Sequence, residues 1–235
     1  MKIVLFGANG GTGRVLTAQA LAAGHDVTAV TRHPEALGLA HQRLRVVAGD
    51  AMDAAAVSSA IAGQDAVLST LGVPFGKDPI TIYSVGAANI VAGMTENGVR
   101  RLACVSSSAV DPHDDPAEGW LFNRVLQPYV VNGIGKTTYD DMRAMEATVA
   151  ASGLDWTIVR PSGLFAAPAV SDYRVSATEH LSGRYTSRAD LADFLLRLAA
   201  GSEFVRETPE VRTTIGTPNF FAFMWRETIR KRAGA

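Results

Sequence analysis

The feature that most limits how this chain can fold is a spaced glycine triplet directly behind its first apolar run. Lys2-Ile3-Val4-Leu5-Phe6 leads into Gly7-Ala8-Asn9-Gly10-Gly11-Thr12-Gly13. A segment with helical apolar spacing follows (Val15, Leu16, Ala18, Ala20, Leu21) and ends at Gly24-His25. A second apolar run, Val27-Thr28-Ala29-Val30, stops at Thr31-Arg32-His33-Pro34. The order predicts strand, glycine turn, helix, strand. Gly7 lets the chain turn sharply out of the strand, and a bare Cα at Gly10 lets backbone approach a pyrophosphate. Gly13 lets the helix pack close to the sheet. The helix then begins beneath the phosphates, where free N–H groups and its dipole favour an anion. Asn9 and Thr12 are placed to add side-chain hydrogen bonds. This is the layout of the first βαβ unit of a dinucleotide-binding fold. The plainer alternative is a tight turn in an α/β protein that holds no nucleotide.

The end of the second strand bears on which dinucleotide. A carboxylate there would hold a ribose 2′-OH, and an arginine would hold a 2′-phosphate. Here stands Thr31-Arg32-His33, with no carboxylate before Glu35. A guanidinium suits a phosphate, so the expected cofactor is NADP(H), with Arg32 as an ordinary solvated charge the competing view.

The chain has 235 residues, enough for one substantial domain, and 47% apolar residues, which a globular core requires. A formal net charge of −1 argues against nucleic acid as the main partner. The single cysteine, Cys104, excludes an intramolecular disulfide and fits a reducing compartment, so a cytoplasmic location is expected. No stretch approaches the ~20 apolar residues of a membrane span. The start of the chain lacks a signal-peptide layout.

Further strands are predicted at 44–48, 65–72, 101–105 and 154–159, with a possible last strand at 211–215. Helices are predicted over roughly 54–62, 82–97, 137–152 and from 187 onward. Gly49-Asp50 closes the third strand at the edge where α/β folds bind ligands. Asp50, Ala51 and Met52 are placed to meet an adenine ring, although Asp50 or Asp53 would equally cap the next helix. Leu71 and Gly72 fall at the edge of the fourth strand, where small residues leave room for cofactor. Lys77 could reach a phosphate or stand solvated. Ser106-Ser107-Ser108 end the fifth strand toward the nicotinamide, or bond their own turn. Cys104 reads as buried filler. Asp111, His113, Asp114, Asp115 and Glu118 form an acidic loop whose spacing fits no common metal pattern; it reads as solvated, and no metal is expected. Residues 120–131 read as a short amphipathic helix over a substrate pocket or facing a second subunit. Arg160-Pro161 leave the sixth strand at the ligand edge, and 164–186 reads as irregular. Ser187 with Asp190 forms a helix start. The aromatic tail from Phe220 to Trp225, followed by basic residues, reads as a docked helix ahead of a membrane-surface one.

These motifs, in this order over roughly residues 1–200, resemble an atypical short-chain dehydrogenase/reductase of the NAD(P)H-binding group. That group includes biliverdin-IXβ reductase/flavin reductase and relatives of the nitrogen-metabolite-repression regulator. The resemblance rests on Gly7 to Gly13, Thr31-Arg32, Gly49-Asp50, Leu71-Gly72 and Gly98-Val99 before Ser106-Ser107. It rests also on Ser152 through Pro161 and on Arg188 with Asp190-Leu191. It implies a Rossmann-type, doubly wound parallel sheet with helices on both faces, as a single domain over 1–235. Segments 111–136, 164–186 and 205–235 would face substrate or partner. It implies that Gly7, Asn9, Gly10, Thr12 and Gly13 hold phosphates and Arg32 the 2′-phosphate. Asp50 and Ala51 would lie by adenine, Leu71 and Gly72 by the ribose, and Ser106 and Ser107 by the nicotinamide. Arg160 and Pro161 would line the reactive end.

One departure concerns catalysis. Classical members carry Tyr-x-x-x-Lys after the fifth strand, where lysine lowers the tyrosine pKa. Here Tyr139 is followed four residues later by Arg143. The implied activity is hydride transfer from NADPH to a flat conjugated small-molecule acceptor: a flavin, a quinone or a tetrapyrrole-like compound. Ser107 and Tyr139 are the candidate catalytic residues. A redox sensor that binds NADP(H) with little catalysis is the alternative, and an epimerase-type sugar enzyme ranks below both. A monomer or homodimer is expected.

Overall fold

The computed structural model describes residues 1–76, 78–114, 119–120, 124–125 and 127–218. Six parallel strands form its spine: β1 (Lys2–Phe6), β2 (Asp26–Thr31), β3 (Leu44–Ala48), β4 (Ala66–Ser69), β5 (Arg101–Val105) and β6 (Asp155–Pro161). Their spatial order is β3-β2-β1-β4-β5-β6. That is the doubly wound dinucleotide-binding order, whose direction of winding reverses between β1 and β4. Right-handed crossovers produce such an order; they run through α-helices except between β2 and β3, where a short 3₁₀ turn, Pro34–Ala36, intervenes. The helices are α1 (Gly11–Ala22), α2 (Ala54–Ile61), α3 (Ile82–Glu96), α4 (Lys136–Ala150) and α5 (Arg188–Ala200).

The parallel strands are nearly continuous apolar runs because both faces are covered. On one face α2, α3 and α4 bury Val57, Ile61, Ile90, Met94, Met145 and Val149 against Val4, Phe6, Val67 and Leu102. On the other, α1 packs on α5, and Leu16, Leu191, Phe194 and Leu198 cover Ile3, Leu5, Leu68 and Val159.

The segment read as irregular, 164–186, is more ordered than its sequence suggests. It holds β8 (Tyr173–Ser176) and most of a small parallel pair formed by β7 (Gly163–Phe165) and β9 (Tyr185–Ser187). The expected last strand is present as β10 (Glu210–Thr213). It joins β6 in parallel, with Glu210 opposite Arg160, and β8 antiparallel. These strands have three or four residues, too short for an alternating pattern to stand out. The predicted helix over 120–131 is helical where described, but irregular: Gln127–Tyr129 form one α-helical turn that runs into a π-helical stretch, Val130–Ile134. Lys77 and the tail from Phe220 lie outside the described residues. No helix among the described residues is long and apolar enough to cross a membrane.

Candidate functional site at the carboxyl edge of the sheet

The glycine turn is built as its spacing requires. Gly7 adopts φ +83°, and a Cβ there would lie 2.5 Å from the Thr70 carbonyl. A Cβ on Gly13 would lie 2.1 Å from the Gly7 carbonyl oxygen. Thr70 ties the end of β4 to the same turn, its hydroxyl donating to the carbonyls of Phe6 (3.2 Å) and Gly7 (3.3 Å). Helix α1 starts with Gly10 as its N-cap, without a capping side chain and without an acidic residue in its first turn. Its first N–H groups are thus presented to an anion with no side chain in competition. The buried Thr12 stands in that first turn. Sequence reading counted Arg188 toward the family resemblance without a site role, yet its side chain lies against the first turn of α1: a Cβ on Gly11 would lie 2.8 Å from its Nε. Arg188 enters from the start of α5, and no local pattern ties that helix to the turn.

Asn9 braces the end of β2. Its amide nitrogen donates to Thr31 Oγ1 (2.6 Å) and to the His33 carbonyl (2.7 Å). Asn9 therefore fixes the end of β2 on which Arg32 stands. Arg32 is exposed and has no hydrogen bond or ion pair to the described residues. The nearest acid in sequence, Glu35, faces His33 instead at 3.6 Å. Asp50 does not cap α2: its Oδ1 accepts from the Met52 N–H at 3.0 Å. Asp53 is the cap, accepting from Ala55 (2.9 Å) and Ala56 (3.2 Å). Asp50 stays at the edge beside the buried Ala51 and the exposed Met52. Leu71 and Gly72 follow β4, with Tyr83 behind them: its hydroxyl accepts from the Val73 N–H at 3.3 Å.

At the end of β5 the buried Ser106 keeps a hydroxyl without a partner among the described residues. Ser107 Oγ accepts from the Ala109 N–H at 3.2 Å, closing its own turn, and its hydroxyl lies beside the Tyr139 phenol. The turn-bonding reading of Ser107 therefore holds, at a position on the carboxyl edge of β5. Tyr139 is 6% exposed, and its ring lies 5.7 Å from that of Phe75. Burial pushes the phenol up to about 12, while the Ser107 hydroxyl opposes the rise. Arg143 does not replace the missing lysine: its Nε donates to the Val110 carbonyl at 3.1 Å and its Nη1 to Asp140 at 2.9 Å. Tyr139 is thus a protonated donor at neutral pH.

The guanidinium of Arg160 is engaged by protein, donating to Glu146 at 3.0 and 2.6 Å and to Asp111 at 3.2 Å. It fastens the loop after β5 to α4, and Pro161 is buried beside it. Cys104 is buried, and desolvation pushes its thiol up to about 12, which makes it core material and not a nucleophile.

The candidate residues thus collect along one carboxyl edge, from Arg32 to Pro161. The cradle at Gly7, Gly10 and Gly13, which a Cβ at Gly7 or Gly13 would block, and the uncapped start of α1 fit a dinucleotide pyrophosphate.

Comparison with known proteins agrees. A Bacillus subtilis protein named as an uncharacterised sugar epimerase is 30% identical over 204 residues, 82% of this chain and 85% of that one. An uncharacterised Mycobacterium tuberculosis protein is 38% identical over 108 residues, 46% of this chain. The match spans only 12% of that protein's length. A (4-alkanoyl-5-oxo-2,5-dihydrofuran-3-yl)methyl phosphate reductase of Streptomyces griseus is 31% identical over 159 residues, 68% of this chain and 46% of that one. Among solved structures, a Veillonella parvula short-chain dehydrogenase/reductase in complex with NADP superposes with a TM-score of 0.76. It has 19% identity and covers 93% of this chain and 99% of that one. An Escherichia coli anaerobillin reductase superposes with a TM-score of 0.71 at 23% identity, covering 93% of this chain and all (100%) of that one. These two share the fold. The profile of the NAD(P)H-binding family matches residues 7–201, and the chain belongs to that family, with the Rossmann fold of the short-chain dehydrogenase/reductases.

Proposed function

We propose that the protein is an NADP(H)-dependent reductase that delivers hydride to a flat conjugated acceptor: a flavin, a quinone or a tetrapyrrole-like compound. The observation that carries this is the Ser107–Tyr139 pair at the end of β5, held protonated by burial and edged by apolar groups. The Phe75 ring lies beside that of Tyr139, and Tyr139 belongs to the apolar cluster that also takes in Val110 and, at its margin, Val130; apolar surroundings of this kind suit a planar apolar ring system. The dinucleotide supplies the hydride; the chain supplies orientation and a dry edge. Gly7, Gly10 and Gly13 would hold its pyrophosphate, and Arg32 its 2′-phosphate. Ser107 and Tyr139 would hold the acceptor or nicotinamide through hydroxyl donors. An acceptor that conjugation makes stable as an anion can be protonated by solvent, so a lysine-activated tyrosine is not required. The reductase names of the Streptomyces relative and the Escherichia coli neighbour, and the NADP in the Veillonella structure, support this reading.

The test is fluorescence titration of NADPH and NADH into wild type and Arg32→Ala, followed by FMN addition while reduced-nicotinamide absorbance is recorded. Arg32→Ala should weaken NADPH by roughly tenfold or more, about 1.4 kcal/mol, and leave NADH unchanged. Absorbance should fall when FMN is added. Equal losses for both dinucleotides would remove the NADP preference. Tight binding without turnover on FMN, a quinone or biliverdin would remove the reductase reading and favour the redox sensor.

A further inference from the structure

Beyond the dinucleotide edge, three ligating side chains from remote parts of the chain meet. His113 lies in the loop after β5, His180 in the loop between β8 and β9, and Glu210 at the start of β10. One nitrogen or oxygen from each falls within 4.8 Å of the other two. The loop holding His113 reads in the sequence as a solvated acidic segment, because its own spacing contains no ligand pattern. The fold brings His113 beside two further side chains of ligand type from elsewhere in the chain.

We propose that His113, His180 and Glu210 form a binding site for a zinc-like divalent transition-metal ion. The His113 Nδ1 is shielded from solvent and has no hydrogen-bond partner among the described residues. A buried imidazole nitrogen without a partner is costly unless something occupies its lone pair. Its ring stacks on that of His180, with centroids 3.7 Å apart and planes inclined by 23°. His180 Nδ1 lies 3.1 Å from Glu210 Oε1.

The carboxylate is fixed from behind. Glu210 Oε2 accepts from the Leu181 N–H at 3.0 Å and from Arg212 Nη2 at 3.0 Å. Both side chains of that ion pair are buried, at 7% and 5% exposure. Outer partners of this kind hold a ligating carboxylate in one orientation and leave Oε1 to the ion. The backbone of His113 is held as well, its carbonyl accepting from Gln127 Nε2 at 3.3 Å. His180 is about half exposed, at 51%, and gives the ion its path from solvent.

Two imidazoles and one carboxylate select borderline ions such as Zn²⁺, whereas Mg²⁺ and Ca²⁺ demand oxygen. Zinc–nitrogen bonds of about 2.0–2.1 Å would draw the three ligand atoms to roughly 3.3 Å from one another. Rotation of the two stacked rings about their side-chain bonds supplies that closure, since neither ring belongs to a strand or helix. Three protein ligands leave a fourth position for water or an oxygen donor. The ion would pin the loop after β5 to β10 at the point where Glu210 pairs with Arg160. The site does not depend on the dinucleotide.

Calorimetric titration of ZnCl₂ into the chelator-treated full chain tests it, alongside His113→Ala and His180→Ala. Cobalt(II) absorbance and circular dichroism are recorded on each protein. Wild type should bind one Zn²⁺ per chain, MgCl₂ should not compete, and Co²⁺ should give visible bands of low-coordinate geometry. Each alanine variant should keep the wild-type circular dichroism and lose zinc affinity at least about tenfold. Zinc binding that is absent in wild type, or unchanged in both folded variants, overturns the proposal. NADPH titration of the same variants separates this outcome from failure of the dinucleotide site.

Discussion

Single residues decide whether the turn after β1 exists at all. A methyl group at position 13 would sit 2.1 Å from the Gly7 carbonyl oxygen and 2.8 Å from the Ala8 Cα, both backbone atoms without freedom to move. Gly13→Ala should therefore push α1 away from β1. Dinucleotide affinity should fall at least about tenfold, and stability by about 1–3 kcal/mol from overpacking; NADPH fluorescence titration and urea denaturation read the two. Unchanged binding would show that the turn does not hold pyrophosphate. This constraint was legible in sequence because it is local: glycine spacing and backbone approach belong to one short stretch. The role of Asn9 was less so. Its donors reach Thr31 and His33, a contact made only once β1 and β2 pair, so its sequence placement at the phosphates missed this bracing.

At the scale of elements, the caps separate what the chain reveals from what it hides. Ser187 caps α5 as its sequence predicts, accepting from the Asp190 N–H at 3.0 Å. Asp190, however, turns its carboxylate to the Ser171 N–H at 2.7 Å instead of back to the cap. Helix α3 carries Thr81 at its N-cap position, but that side chain makes no capping bond. The buried Asp141 of α4 does so instead, accepting from the Tyr83 N–H at 2.9 Å and the Ser84 N–H at 3.4 Å. No sequence rule relates residues that far apart, and the same holds for the pairing of β10 with β6 and β8. Asp141→Ala strands two N–H groups inside the α3–α4 contact. It should cost about 2 kcal/mol and lower the midpoint of thermal unfolding by roughly 4–8 °C. A scanning-calorimetry midpoint equal to that of wild type would show that solvent reaches the start of α3.

For the whole molecule, winding order brings the ends of six strands to one edge and sets Tyr139 against Ser107 there, and this burial has a consequence for pH. Burial raises the Tyr139 phenol from 10.0 to about 12, against the opposing Ser107 hydroxyl. Burial raises Tyr173 to about 12 and Tyr83 in the same direction. Above pH 10 the unfolded chain gives up these protons while the folded chain keeps them, so the folded state binds more protons in that window. Stability is then complete below about pH 10 and falls as pH rises toward 12. For Tyr139 alone the loss by about pH 11 is roughly 1.4 kcal/mol. Urea unfolding of wild type and Tyr139→Phe near pH 9 and near pH 11 measures it. The drop between the two pH values should be smaller in the variant by about that amount, whatever the variant costs at pH 9. Equal drops would mean that the phenol ionises as freely in the folded chain as in the unfolded one. A lysine-activated tyrosine would show the opposite shift, so the same pair of curves also tells whether Tyr139 is held as an acid or poised as a base.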